Sequence, residues 1–545
     1  MARGKNNTVI PKYKWLTAAA VVAAAALYLW RISGMELVLS VSDVHPLRLA
    51  ILLGILFLIP VCACILTPEG GLAARRLCLF VYAFLFLYSL FQMSYYENYV
   101  GRTPDEMQHI SYIAYLEETD VLIPDFTEMT SGTLFSEISA KKDVWKIDWT
   151  NEEVNYLGHP PLYYQIMRLA NAIHFESDGT VFVVNIARLR RFSMGIAALA
   201  LLLIFYIGFT RLDPRRPCLH LLYAMITTSI HMMLYGAAGI SNDTLALLTV
   251  TVYFLGILRF VEQKRDWKTY LLIAVGVTAS LLTKTTAGLM TALASVLVIV
   301  SSLIREKSWK RLFRKSFFLT LPVYLPAVLY FLYIYKMYGT FQPSLANFVS
   351  EEYYQNSSFY VQEEERAVMT LYQYFLYYKK EFFGSWSGIA SHIALYKPTR
   401  LYSPDRIALL SVWVLPAVSA IFSGWKRDCV GRACSGLYIA ALLVAALQFV
   451  SAAGGFYSRG YLGGFQSRYY ICVIAAFALS ITRLPETGLT NRRPPSAGTR
   501  SENSSIPADG QKLRSILFVF VIVFILLLFY ENFMYFLLYF TEYLT

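Results

Sequence analysis

Charge is scarce in this chain. Of 545 residues only 15% are charged, while 57% are hydrophobic and 16% aromatic. That apolar share exceeds what soluble domains carry, which excludes an ordinary water-soluble globular protein. Cysteine is also scarce, with seven in all: Cys62, Cys64, Cys78, Cys218, Cys429, Cys434 and Cys472. None falls in a long polar loop, so no disulfide framework staples an external surface. Cys62/Cys64 and Cys429/Cys434 have no second Cys or His pair beside them. They read as small apolar fillers or free thiols rather than metal knuckles. No internal repeat is visible, which counts against a transporter built from duplicated halves.

Long apolar runs are abundant instead. Runs of roughly 17–20 residues, enough to cross a bilayer core, recur from end to end. About thirteen spans are predicted, near 15–32, 48–67, 78–95, 192–209, 219–239, 244–260, 269–283, 287–304, 316–334, 406–423, 436–453, 468–482 and 515–531. The first run is too long for a signal-peptide core and lacks a cleavage site, so it reads as a retained helix. A net charge of +12 would ordinarily suggest nucleic acid. The bases sit in short loops instead, at Arg75 and Arg76, Arg211 to Arg216, Lys264 to Lys268, Arg305 to Lys315, and Lys426 to Arg432. This positive-inside pattern predicts a multi-pass plasma-membrane protein with a cytoplasmic N-terminus and no nucleic-acid partner.

Two long loops are then external, at 96–191 and 335–405. Residues 484–513, rich in Pro, Ser and Gly, read as a disordered cytoplasmic linker. Residues 514–545 read as a last span with an external tail. Over 98–190 the first loop carries fourteen Asp/Glu against seven Lys/Arg, the reverse of the basic loops. Two helical patterns occur in it. "EMQHISYIAYLEE" places Ile110, Ile113 and Ala114 on one face, and "HPPLYYQIMRLANAI" does the same with Leu162, Ile166 and Leu169. Both read as short helices lying at the membrane surface.

The stretch "GRTPDEMQHISYIAYL" follows a span directly. With a helix starting near Pro104, Asp105 and His109 are four apart and share a face, while Glu106 points elsewhere. A carboxylate at a helix N-terminus stays ionised and suits a general base. The plainer reading is a helix cap in an acidic loop. His159 lies in "YLGHPPLYYQI", and Arg188 and Arg191 enter the next span in "NIARLRRFSMG". Lys284 and Arg468 also sit at external span ends, with Tyr469 beside Arg468. An arginine at a span end ordinarily snorkels to the headgroups. Asn242 and Asp243, at the start of another span, read as a cap rather than as chemistry.

The order of these motifs resembles a known family. D-E-x-x-H after an early span, then H-P-P-L, then R-x-x-R-x-S entering the next span is similar to the protein O-mannosyltransferases. More broadly it resembles the GT-C superfamily of polyprenyl-phosphate-sugar glycosyltransferases and its bacterial multi-pass members. "LLTKTTAGLM" and "FQSRYYICVIAAFAL" resemble later segments of such enzymes. The chain departs where the mannosyltransferases continue with Gly-Lys, having Tyr163-Tyr164 instead. The resemblance implies an all-α polytopic fold over 1–483, a GT-C-like bundle with two large external loops. It implies inverting transfer of a sugar, of the hexosyl or mannosyl kind, from a polyprenyl-phosphate carrier to an external glycan, lipid or protein. Asp105 would be the base and Glu106 its partner, with His109 and His159 near the donor. The departing lipid phosphate gains negative charge and needs cations near the membrane plane, for which Arg188, Arg191, Lys284 and Arg468 are candidates.

Asp105, Glu106, His109 and His159 also offer hard and imidazole donors for a divalent cation. Their spacing matches no compact metal signature, and no cofactor is assigned. The competing class is a transporter or lipid-carrier flippase without covalent chemistry. A cavity open to both sides would mark that class, and a one-sided cavity joining Asp105 and Arg468 would mark the enzyme.

Overall fold

The computed structural model describes residues 14–23, 45–67, 70–97, 103–137, 143–150, 153–177, 179–386, 404–426, 428–489, 515–530 and 532. The expected linker over 484–513 and the tail beyond 532 lie largely outside these residues. The chain is a polytopic, predominantly helical membrane protein. Seven described helices are long and apolar enough to cross a membrane: Gly71–Tyr96, Ile186–Arg211, Asp243–Val261, Thr285–Glu306, Lys315–Tyr338, Cys429–Arg459 and Ser467–Pro485. Pro217–Thr228 and His231–Ala238 are long and apolar enough only when taken together as one further span, and they meet at a 56° bend. Five shorter apolar helices stand where the remaining expected spans fall: Lys14–Ala23, Leu56–Leu66, Trp267–Thr283, Ile407–Ile421 and Ser515–Tyr530.

Local chemistry sets several helix ends. The Asn185 side chain accepts from Arg188 N at 3.0 Å and opens the helix from Ile186. Asp266 caps the helix from Trp267 by accepting from Thr269 N at 2.9 Å. Gly460, at φ 70°, closes the long helix Cys429–Arg459, a left-handed backbone that glycine adopts without Cβ strain. Between helices, Gly276 lets two backbones touch. A Cβ there would lie 2.6 Å from Tyr253 Cα. Small residues serve this purpose in membrane interiors, where close backbone approach replaces the hydrophobic effect between helices.

The bent span is fastened by a polar bridge. Gln92 Nε2 donates to Asn532 Oδ1 at 2.8 Å, and Asn532 Nδ2 donates to the Thr228 carbonyl at 3.1 Å. All three residues are buried. The Thr228 carbonyl falls at the bend, where the helical ladder is interrupted, so the bridge supplies its missing donor.

The two ends of the bundle differ. Basic loop residues gather at one end, where Arg211 pairs with Glu262 at 2.5 Å, Arg265 with Glu306 at 2.5 Å and Arg483 with Asp428 at 3.0 Å. The long loops gather at the other. There the first loop contains a four-stranded antiparallel sheet of order β1-β2-β4-β3, with β1 Thr133–Glu137, β2 Val144–Asp148, β3 Ile173–Phe175 and β4 Val181–Asn185. Trp145 pairs with Val184 and Ile147 with Phe182, and all four are buried.

The sequence reading, tuned to helical period, anticipated no sheet. The apolar–polar alternation of "VWKID" and "VFVVN" is its signal. The two expected loop helices are present, as Glu106–Thr119 and Leu162–Arg168. The first is not an interfacial helix, however. Residues 109–116 are buried along its length, because the sheet and the second loop cover it. The second loop contributes Tyr353 OH, which accepts from Val154 N at 2.9 Å, and Tyr338 OH, which accepts from Phe126 N at 2.9 Å. Together the loops close a second core through Ile113, Tyr164, Phe182, Tyr330 and Phe348.

Candidate active site

The span Gly71–Tyr96 delivers the chain to Thr103-Pro104-Asp105 at the loop end. Asp105 has φ 61° and ψ 16°, left-handed for a non-glycine residue. Asp tolerates that region better than most residues, but the conformation still carries strain that surrounding contacts must hold. Asp105 stands at the cap position of its helix and makes no side-chain capping bond. Its carboxylate is used elsewhere. Tyr156 OH donates to Oδ1 at 2.5 Å, and Arg468 Nη2 donates to Oδ2 at 2.8 Å. Both members of the ion pair are nearly buried, at 10% and 7% side-chain exposure. The plain capping explanation for Asp105 is therefore set aside.

Arg468 also approaches Asp243, with Nε 3.8 Å from Oδ2. Lys284 Nζ donates to the other oxygen of Asp243 and lies 4.0 Å from the centroid of the Tyr469 ring. The Arg468 guanidinium carbon lies 5.5 Å from the same ring. Two acids, two cations and two tyrosines thus share one buried cluster. Lys284 enters it because the chain is extended there, at φ −155° and ψ 122°, between helices Trp267–Thr283 and Thr285–Glu306. A narrow cleft of about 30 Å³ opens beside the cluster, lined by Thr103, Pro104, Met233, Ser241, Asp243 and Arg468.

The cap expected of Asn242 and Asp243 is absent. Asn242, at the cap position, makes no side-chain capping bond. Asp243 instead serves as counter-ion to Lys284 and Arg468. Sequence reasoning passed over it because a carboxylate at a helix start has an inexpensive explanation. Its location at the mouth of an apolar span was the informative signal, since ionisable groups there need partners.

His109 and His159 flank the cluster, their rings nearly parallel with centroids 6.3 Å apart. His109 Nδ1 and Tyr164 OH are 2.9 Å apart. Burial pushes the His109 imidazole down to about 3, against the opposing pull of Asp105. Burial, then repulsion from Lys284, pushes His159 down to about 4. Both rings are neutral near pH 7. Among the described residues, His159 Nδ1 is buried without a hydrogen-bond partner. Burial and the neighbouring Asp105 push the Tyr156 phenol up, which keeps it a donor.

Glu106 occupies a different niche from its neighbour. Arg190 Nε donates to Oε1 at 2.8 Å, Arg190 Nη2 donates to Oε2 at 2.5 Å, and Ile240 N donates to Oε1 at 3.1 Å. Arg190 Nη1 donates to the Glu97 carbonyl. Both side chains are 1% exposed. This clamp joins the end of one span, the Asp105 turn and the segment leading into Asp243. Glu106, expected as a partner of the base, is thus held in a clamp behind the cluster.

Arg188 and Arg191 are not brought to the cluster. Arg188 is exposed. Arg191 is 68% exposed and pairs with Glu97 at 2.8 Å. The inward arginine is Arg190, between them, because successive helical positions turn by about 100°. Tyr156 and Tyr164 were likewise missed. Nothing in a tyrosine-rich loop separates them from their neighbours. Among the described residues, no group of three or more His, Cys, Asp or Glu could hold a metal ion. Asp105 is committed to Arg468 and Glu106 to its clamp with Arg190, so Asp105, Glu106, His109 and His159 do not form a cage.

No protein-family model matches the chain, and no curated protein does either. Among solved structures it is similar to ArnT from Cupriavidus metallidurans bound to undecaprenyl phosphate. Identity is 14% and the TM-score 0.41, over 86% of this chain and 77% of that one. It is also similar to the apo state of the same protein, at 13% identity and a TM-score of 0.40, over 86% and 76%.

Proposed function

We propose that this protein is a GT-C-type glycosyltransferase that moves a sugar from a polyprenyl-phosphate carrier to a hydroxyl acceptor at its loop-covered end. The observation that carries this reading is Asp105, a strained and nearly buried carboxylate held between Tyr156 and Arg468. Beside it stand Lys284, Asp243 and a cleft that begins at the end of the spans. The carrier's phosphate docks against Arg468 and Lys284, and its lipid lies among the helices. The acceptor hydroxyl gives its proton to Asp105, and its oxygen attacks the anomeric carbon. The bond from that carbon to the phosphate oxygen breaks, and the carrier leaves with the electron pair. The cations neutralise the charge that grows on the leaving phosphate. A single positioned base and one displacement imply inversion at the sugar.

A hexosyl, mannosyl-like sugar and an external glycan, lipid or protein acceptor complete the reading. The positive-inside pattern supports a plasma-membrane enzyme with a cytoplasmic N-terminus and an external site. The bend in the span Pro217–Ala238 is the feature that speaks for a transporter. The ionisable residues speak against it, because they lie together at one end of the spans rather than at mid-depth.

The test supplies purified protein with radiolabelled polyprenyl-phosphate hexoses and hydroxyl acceptors. Labelled product with the native protein, and its loss in Asp105→Asn, is the expected result. No transfer from any carrier, together with carrier movement across proteoliposomes, would establish the transporter instead.

A further inference from the structure

The first loop passes Asp105 as residues 154–158, and the second loop lies along this stretch. Alternate residues face opposite ways, as in extended chain. Asn155 and Leu157 are buried. Asn155 Nδ2 donates to the Gln108 carbonyl at 2.9 Å, which ties the stretch to the helix Glu106–Thr119. Val154, Tyr156 and Gly158 meet the second loop instead. Val154 N donates to Tyr353 OH at 2.9 Å. The Tyr156 ring meets the Phe359 ring edge-on, with centroids 5.0 Å apart at 62°. Gly158 lies so close to Pro343 that a Cβ would run into the Pro343 carbonyl oxygen.

Phe359 is itself held in place. Its carbonyl accepts from Tyr354 OH at 3.3 Å, and Tyr354 OH accepts from Arg459 Nη1 at 2.7 Å. Val361 N donates to the Arg459 carbonyl at 3.0 Å. The Phe359 ring also packs on Tyr461, with centroids 5.3 Å apart. Arg459 ends the span Cys429–Arg459, and Tyr461 lies in the turn that leads on to Arg468. Phe359 thus joins the end of a span to the ring whose hydroxyl donates to Asp105. An edge-on aromatic pair has a preferred geometry, so Phe359 restricts how the Tyr156 ring can swing.

We propose that Phe359 is a positioning residue for sugar transfer. It holds the Tyr156 phenol on Oδ1 of Asp105, and so fixes the direction in which the carboxylate meets the acceptor hydroxyl. Phe359 acts through Tyr156 and rests on the transferase reading of the Asp105 cluster.

The test uses the full-length protein in mild detergent with a radiolabelled polyprenyl-phosphate hexose and a hydroxyl acceptor. Rates and donor KM are measured for the native chain, Phe359→Ala, Phe359→Tyr, Tyr156→Phe and the double variant Tyr156→Phe/Phe359→Ala. Hydrogen–deuterium exchange over residues 154–158 is followed on the native and Phe359→Ala proteins. Phe359→Ala should lower kcat by about tenfold to 100-fold, the scale of a misplacement of up to about 1 Å, with donor KM unchanged. Phe359→Tyr keeps the ring and should restore kcat. Where Tyr156→Phe has already removed the hydroxyl, adding Phe359→Ala should cost little more, because the two residues act as one unit. Phe175→Ala, at a loop-sheet ring 5.6 Å from Phe182, controls for general loosening and should leave kcat unchanged. Native kcat in Phe359→Ala, or full additivity of the two changes, overturns the proposal. If the native chain transfers no sugar, the transferase reading fails and exchange decides the placement of Tyr156. Faster exchange over 154–158 in Phe359→Ala, with the sheet unchanged, is expected, and unchanged exchange there overturns the proposal. Should Phe359→Ala fail to fold, Phe359→Leu, which keeps most of the volume without the ring, takes its place with the same expectations.

Discussion

Adjacent carboxylates at 105 and 106 are expected to fail in different ways, and the difference measures which of them does chemistry. In Glu106→Gln one oxygen is retained, but an amide NH₂ replaces the other and faces a guanidinium N–H. One of the two Arg190 bonds, at 2.8 and 2.5 Å, becomes a donor–donor contact. Arg190, 1% exposed, then loses the carboxylate that two of its guanidinium nitrogens hold. Removing one partner of a buried pair costs about 3–5 kcal/mol. Denaturant unfolding in detergent should therefore show a large loss of stability, and the folded fraction should keep much of its turnover.

Asp105→Asn should do the reverse. Arg468 keeps Asp243 at 3.8 Å and the Tyr469 ring as compensation, so stability changes little. Loss of a positioned base costs roughly 100- to 10,000-fold in rate. The assay is sugar transfer per mole of folded protein, with folding quantified in parallel. A stable but inactive Glu106→Gln, or an active Asp105→Asn, would refute the assignment of the clamp and the base.

Four further outcomes are expected. Arg468→Ala should weaken donor use by about tenfold to 150-fold, and Arg468→Lys less, because an ammonium cannot hold two phosphate oxygens in a planar fork; donor titration measures both. Acid should destabilise the protein as pH falls from about 6.5 toward about 4, because unfolded histidine takes up protons in that window while buried His109 and His159, at about 3 and about 4, stay neutral. Replacing His159 with Gln should flatten that decline in a pH series of unfolding curves. Gly276→Val should prevent accumulation of folded protein, since even a Cβ meets Tyr253 Cα at 2.6 Å; size-exclusion chromatography reports it. Leu122→Cys, at a position 76% exposed in the first loop, should react with an impermeant thiol reagent on intact cells. Native Cys429, exposed at the basic end, should not react until the membrane is opened.

The bundle was readable because lipid imposes length and apolarity on every span, and the basic loops mark one end. Asp105, Lys284 and Arg468 were readable as polar residues at span ends, and His159 through the H-P-P-L stretch of the first loop. Of these, the structure joins Asp105 and Arg468 directly and Lys284 through Asp243. Asp243 was illegible because helix capping accounts for it at no cost. Arg190 was illegible because the R-x-x-R spacing drew attention to its neighbours. Which of three nearby arginines faces inward depends on helix phase, and a short basic motif does not fix that. The sheet was present in the alternation of "VWKID" and "VFVVN". A reading tuned to helical period does not register a two-residue repeat.

The polar bridge from Gln92 through Asn532 to Thr228 ties the far C-terminal part of the chain to the bend in Pro217–Ala238. Past that bend, Met232 and Met233 line the cleft beside Asp243 and Arg468. Whatever is done to the chain near residue 532 is therefore done to the wall of the cleft. A truncation ahead of Asn532 strips the donor from a buried carbonyl and loosens the span that shapes the donor's berth. An affinity tag or reporter fused close behind that residue pulls on the same fastening. For anyone expressing this protein, apparent inactivity of a C-terminally shortened form says little about Asp105.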